Sequence, residues 1–353
     1  MKTKLHPQNK KSPKIKLESL PLLEPNAAGI DLAHREHWCA VPADRCKKPV
    51  RSFGTFTQDL EKMADWLHEC GIKTVAMEST GMYWIPAFQI LERRGFAVCL
   101  VNARHVKNVS GRKSDILDCP WIQRLHSYGL LNASFRPADP MCVRRSYLRY
   151  RDELVCARSV QCQHLQQALQ QMNVQLHQVL SDVTGVSGLR IIEAILTGER
   201  NGRTLASLAD RRVRASQATV EKALRGDYRA EHLFVLQTAF DLYQTYEQKI
   251  HLCDEQILAQ LAHLPARVDL NEKPVPPRKP GRPAFLDKVA GTDLREELYR
   301  CAGVDLTAIE GIGVLTAQVV FSEIGLDLTP WRSEKHFASW LGLCPDHRIS
   351  GGK

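Results

Sequence analysis

No two of the eleven cysteines stand in a C-x-x-C pair, and their number is odd. A structural zinc site and a disulfide framework therefore both lack their usual spacing, and free thiols point to a reducing cytoplasm. No apolar run approaches the ~18 residues that a membrane span needs. The N-terminus has no apolar core of a secretory signal. Acidic residues are in deficit, with 39 Asp and Glu against 48 Lys and Arg, so the chain carries +9. That balance is compatible with a nucleic-acid partner. With 44% hydrophobic residues over 353 positions, there is enough apolar material for two or three domains.

Residues 1–26 hold six lysines and two glutamates. They read as a disordered basic arm. From residue 27 the pattern becomes α/β. "AAGIDLA", "HWCAVPA" and "VRSFGTF" read as three strands of antiparallel type. "TQDLEKMADWLHEC" has helical spacing, with Thr57 as its expected N-cap. "IKTVAME" is a buried strand, "WIPAFQILERRG" a helix closed by Gly95, and "FAVCLVN" another buried strand. "HREHWC" (His34, His37, Cys39) alternates as a strand does, which favours a strand over a metal site.

Residues 141–180 read as one long helix. Leu154, Val155, Ala157, Leu165, Leu169 and Met172 recur near heptad spacing, so a coiled coil or dimer arm is expected, against packing within the same subunit. Residues 190–264 continue helical. "NEKPVPPRKPGRPAFLDK" reads as a basic Pro-rich linker, and its Lys279–Pro283 core, which includes Arg282, resembles a minor-groove hook. "LTAIEGIGVLTAQVVFSEIG" reads as helix, Gly-Ile-Gly turn, helix. It resembles a helix-hairpin-helix, in which the Gly311 and Gly313 amides could meet a phosphate. The expected organisation is thus an arm over 1–26, a catalytic domain over 27–135, a helical region over 136–264, a linker over 265–300 and a C-terminal domain over 301–353.

Four acids stand out. Asp31 lies in the first strand and Glu78 ends a buried one. Asp115 and Asp118 follow the next strand, three residues apart, a spacing that shares one helix face. A carboxylate at the end of an apolar strand is costly unless it is paired or liganded. Four converging carboxylates would offer hard oxygens to Mg²⁺ (or Mn²⁺), and two such ions can assist phosphoryl transfer. Strand acid, strand acid, acid pair is the order of RNase H-like nucleases, with RuvC-type resolvases closest.

Together with "AMESTGMYW", "GRKSDILD" and "HFASWLGLCPDHRISGGK", these stretches resemble the DEDD transposases of insertion sequence family 110, which include the Piv-type invertases. The resemblance implies an RNase H-like catalytic domain, a helical middle and a C-terminal serine transposase domain. It implies a recombinase that cuts and joins DNA with a Mg²⁺-bound tetrad of Asp31, Glu78, Asp115 and Asp118. Ser350 would be the nucleophile, brought from another subunit. The implied partners are DNA of element ends and target, a bridge RNA as guide, and further copies of the chain as a dimer or tetramer. The implied location is the bacterial cytoplasm at the nucleoid, with no membrane. Arg112, Lys113, Arg282, Arg348, Gly311 and Gly313 are the expected nucleic-acid contacts.

Two departures from the family pattern bear on this. Pro120 follows the acid pair, which is expected to place the pair in a turn with Pro120 opening the next helix. The chain also ends three residues after Ser350, as a truncated frame would. The alternatives are a metal-dependent nuclease or junction resolvase on the same fold, and an inactive truncated nucleic-acid-binding protein.

Overall fold

The computed structural model describes residues 20–79, 81–102, 118–137, 139–278 and 287–344. The chain forms two compact units, divided between Arg136 and Pro137.

The first unit is built on a five-stranded mixed sheet: β1 (Ala27–Leu32), β2 (Glu36–Ala40), β3 (Val50–Gly54), β4 (Thr74–Glu78) and β5 (Ala97–Val101), in the order β3-β2-β1-β4-β5. β1, β2 and β3 are antiparallel, whereas β1, β4 and β5 run parallel. Alternation along the strands explains the layers. Ala28, Ile30 and Leu32 of β1 join Val75 and Met77 of β4 on one face. Helix α1 (Thr57–Glu69) and helix α2 (Trp84–Arg93) cover that face through Leu60, Met63, Leu67, Ala87, Phe88 and Leu91. The opposite face carries Ala76 and Val101 and is covered by helix α3 (Asp118–Ser127) through Ile122 and Leu125.

Several local expectations are corrected. Phe56, not Thr57, is the N-cap of α1, and Thr57 is its first residue. Pro120 is the third residue of α3 rather than its first. The described helix already includes Asp118, so Pro120 does not open it. The end of the N-terminal arm is tied down: the Leu23 and Glu24 amides both donate to the Ser127 carbonyl at the end of α3, at 2.9 and 3.0 Å. Gly95 does close α2, at φ +87°.

The second unit is helical, with α4 (Asp139–Gln171), α5 (Leu176–Val179), α6 (Val186–Leu196), α7 (Gly202–Ser207), α8 (Gln217–Ala223) and α9 (Ala230–Ala262). α4 ends at Gln171, earlier than the heptad pattern suggests, where Asn173 turns at φ +55°. α4 packs antiparallel against α9 of the same chain. The pairs Arg151–Asp254 (2.5 Å) and Arg158–Glu247 fix the register. Leu154, Ile250 and Cys253 fill the seam midway. At one end α4 and α9 share a core with α5–α8, which includes Leu165, Leu169, Met172, Leu236 and Phe240. At the other end Met141, Leu148, Ile257 and Leu261 pack with the C-terminal elements.

Those elements correct the reading of the linker and of the hairpin of helices. A short ladder, β6 (Lys288–Val289) with β7 (Thr292–Asp293), leads into helix α10 (Leu294–Ala302), so folded structure begins before residue 300. Arg278 reaches across to Asp287 (2.8 Å) and Asp293 (2.7 Å). A single 3₁₀ turn, Leu306–Ala308, precedes helix α11 (Val314–Ile324), where a full helix was expected. Arg295, buried in α10, donates to Asp305 and Thr307 and so fixes that turn. Helix α12 (Glu334–Trp340) completes the described fold. Among the described residues no helix is long and apolar enough to cross a membrane.

Candidate active site

Asp31 and Glu78 are placed by the parallel pairing of β1 and β4. The last paired residues are Ile30 and Met77, and the two acids each come next. They lie side by side, on the sheet face of Gly29 and Ala76 that α3 covers. Glu78 also pairs with Val101 across the β4–β5 register. Both acids stand at the carboxyl ends of their strands, where open α/β sheets commonly carry ligands.

Gly29 governs how closely α3 approaches. A Cβ added there would fall far inside contact distance of the Gln123 nitrogen and the Cys119 carbonyl oxygen, and 2.8 Å from the Gln123 Cα. Only glycine lets the helix backbone rest on the strand at this point. Gln123 completes the contact by donating from Nε2 to the Ala27 carbonyl (3.4 Å) and to the Ser127 hydroxyl (2.8 Å).

This packing places Asp118 in the helix that covers the face of the strand acids, but Asp31, Glu78 and Asp118 do not come together as one metal-holding group. Cys119 is fully buried, and its thiol pKa is pushed up to about 12, chiefly by burial, then by the negative charge of Asp31, with a smaller part from its chain neighbour Asp118. One thiol thus lies within the field of both carboxylates. The sequence reading passed over Gly29 and Cys119. A glycine inside an apolar strand was a usable signal for close backbone approach.

The loops after the two acid strands meet one another. His34 and Tyr83 pack edge to face with ring centroids 5.7 Å apart, and Gly81, at φ +55°, lies against the tyrosine ring. His37 is buried in β2, separately from His34, and burial lowers its pKa. The "HREHWC" stretch therefore leads into β2, which lies between β1 and β3, with His34 exposed before the strand and His37 buried within it.

Among the described residues no three His, Cys, Asp or Glu side chains form a group that could hold a metal ion. Asp115, Arg112, Lys113, Arg282, Arg348 and Ser350 lie outside the described residues, as does the Lys279–Pro283 stretch. Gly311 takes φ +80° with open space around it, and Gly313 is the N-cap of α11.

Comparison with known families gives the class of the protein. Residues 28–174 match the DEDD transposase model of IS110. Residues 305–353 match the model described as "Transposase IS116/IS110/IS902 family". Together the two matches span more than half of the chain; the first runs from the first unit into α4 of the second, and the other lies in the second unit. The chain is a DNA transposase. It belongs to the IS110 family of insertion-sequence transposases. No curated protein matches it.

Proposed function

We propose that this transposase cuts and joins DNA strands at a composite site. One half is the acid tetrad Asp31, Glu78, Asp115 and Asp118 on an RNase H-like, RuvC-type domain. The other half is Ser350. The observation that carries the reading is the placement of Asp31 beside Glu78, under the helix that carries Asp118. The order β3-β2-β1-β4-β5 supports the RNase H-like assignment.

By donor chemistry alone, the four acids suit a hard divalent cation. Asp31, Glu78 and Asp118 offer only carboxylate oxygens, and Asp115 would add a fourth; Mg²⁺ or Mn²⁺ prefers such ligands. When bound, the ion supplies Lewis-acid polarisation of a phosphodiester and charge neutralisation. The chain's own residues do the rest. Gly29 and Gln123 hold α3 on the sheet and so hold Asp118 in place. The Ser350 hydroxyl attacks phosphorus, forming an Oγ–P bond while one bridging P–O bond breaks. Net, the serine proton ends on the departing oxygen. The phosphoester energy stays in the protein–DNA linkage, ready for rejoining.

Arg112, Lys113, Arg282, Arg348 and the Gly311–Gly313 backbone would contact DNA or the bridge RNA. The two halves come from different subunits, so the working form is a dimer or larger.

The test is a denaturing gel of labelled element-end DNA incubated with protein, guide RNA and Mg²⁺. A covalent protein–DNA band is expected from the wild type and from neither Ser350→Ala nor Asp31→Asn. A band that persists in Ser350→Ala would sink the serine assignment. One that persists in Asp31→Asn would sink the tetrad.

A further inference from the structure

The loop between α7 and α8 concentrates arginine. Residues 210–214 read Asp-Arg-Arg-Val-Arg, three arginines against one acid. Val213 and Ala215 pack against the core that α5–α8 share with α4 and α9. Arg211, Arg212 and Arg214, beside and between them, are exposed. Three hydrogen bonds shape the loop. The Val213 amide donates to the Asp210 carbonyl (2.9 Å), and the Arg212 amide to the Asp210 carboxylate (2.9 Å). The Asp210 amide donates to the Ser187 hydroxyl of α6 (2.8 Å), which ties the loop to that helix. Apolar anchors thus alternate with outward cations, so little ordering is left to be done when a ligand arrives.

Arg212 and Arg214 line a cavity of about 640 Å³, which His177, Ser181 and the start of α6 also line. Arg190 is three residues along α6 from Ser187 and shares its face, and its charge reaches Asp210. Two acids line the cavity, Asp182 and Asp210, and both are engaged. Asp182 accepts from the Thr184 amide and hydroxyl, each at 2.8 Å. Asp210 pairs with Arg212 at 2.9 Å, and that bond first of all holds its carboxyl below the usual range. The Arg212 side chain stays 83% exposed within the pair. Arg190, Arg211 and Arg214 are exposed and make no ion pair among the described residues. In the seam of α4 and α9, by contrast, Arg151 and Arg158 each hold an acid.

A guanidinium is a planar fork of donors that matches two oxygens of a phosphate. Among the described residues no phenylalanine, tyrosine or tryptophan lines the cavity, so an unpaired base finds no ring to stack on. Cations without a stacking surface suit a double helix, whose bases are already covered and whose phosphates are not. We infer that Arg190, Arg211, Arg212 and Arg214 form a binding site for the phosphodiester backbone of duplex DNA, engaged without regard to sequence. The inference rests on the transposase assignment, and on neither the acid tetrad nor Ser350.

The test uses the full chain and a labelled DNA duplex without divalent metal, so that no strand is cut. Fluorescence anisotropy over a salt series gives the slope of log affinity against log salt. Arg190→Gln, Arg211→Gln and Arg214→Gln combined in one protein should flatten that slope by about one per arginine, equally for an element-end duplex and for one of scrambled sequence. Lysine at the same three positions keeps the charge and should keep most of the slope. Phenylglyoxal, which modifies exposed guanidinium groups, gives the location. Peptide mass spectrometry should find Arg211 and Arg214 modified in the free wild type and shielded at saturating duplex. Shielding is read on the wild type, so it decides the matter even where the triple variant is less stable. An unchanged slope in a folded glutamine variant, or arginines modified as fast with duplex as without, would overturn the inference. So would shielding by single-stranded DNA or a structured RNA but not by duplex DNA, and so would a wild type that binds no duplex.

Discussion

Gly29 and Cys119 touch through their backbones: the glycine of β1 leaves the space that the Cys119 carbonyl of α3 occupies. The contact joins the strand that bears Asp31 to the helix that carries Asp118. Gly29→Ala should therefore lift α3 from the sheet. Overpacking of this kind costs about 1–3 kcal/mol. Strand cleavage should fall by more than that loss of stability explains, because Asp118 moves with the helix. Urea midpoints and cleavage rates measured on the same preparation check this. A Gly29→Ala protein with wild-type cleavage would show that the helix position does not matter to the reaction.

Two buried histidines make the first unit sensitive to mild acid. His37 and His126 both have lowered pKa values, in each case through burial first, and Glu24 partly opposes the shift at His126. His126 Nε2 also shares a 2.8 Å hydrogen bond with the Thr74 hydroxyl. The unfolded chain, with histidines near 6.5, binds protons that the folded chain refuses. Stability is then fully present above about pH 7 and falls as pH drops through about 6.5 toward the lower folded values, by at most ~1.4 kcal/mol per pH unit for each histidine. Urea midpoints between about pH 7.5 and 5.5 test the sign. A rising midpoint on acidification would contradict it.

Arg144 is 1% exposed, and its Nη1 and Nη2 are buried with no hydrogen-bond partner among the described residues. Its Nε donates to the Pro140 carbonyl at 3.2 Å, and the guanidinium sits 5.5 Å from the Phe321 ring centroid. Burial lowers its pKa from the usual arginine value. An unsatisfied buried polar group costs ~1–3 kcal/mol. Arg144→Met keeps most of the volume and removes that cost, so the urea midpoint should rise. A fall would mean that the contact with Phe321 outweighs the desolvation of the charge.

The proposed sharing of the site between subunits predicts complementation. Ser350→Ala and Asp31→Asn proteins, each inactive alone, should together restore part of the covalent DNA adduct, because mixed assemblies pair an intact tetrad with an intact serine. The readout is the same denaturing gel. No recovery from a mixture that demonstrably co-assembles would place both halves in one subunit.

The sheet was legible because each strand is a short apolar run with period two, and the acids at positions 31 and 78 interrupt those runs at their ends. The second unit was legible only as helix. Heptad-like spacing in α4 does not say which helix fills the seam, and the partner, α9, begins about sixty residues after α4 ends. Arg151–Asp254 is a pair that no local pattern announces. Residues 287–300 read as linker because proline and lysine precede them, yet Asp287 and Asp293 hold Arg278 and start the fold there. At the site, the strand-end positions of Asp31 and Glu78 could be read from the sequence. The glycine that seats the helix over them has no side chain to draw attention, and its role shows only when the helix lies on it.

The paired helices α4 and α9 each run 33 residues. At 1.5 Å per residue that is about 50 Å, close to the length of 15 base pairs of duplex DNA. The small helical core sits at one end of this hairpin and the elements from Lys288 onward at the other. The second unit is thus a beam, whose two cores are kept apart by the length of its paired helices.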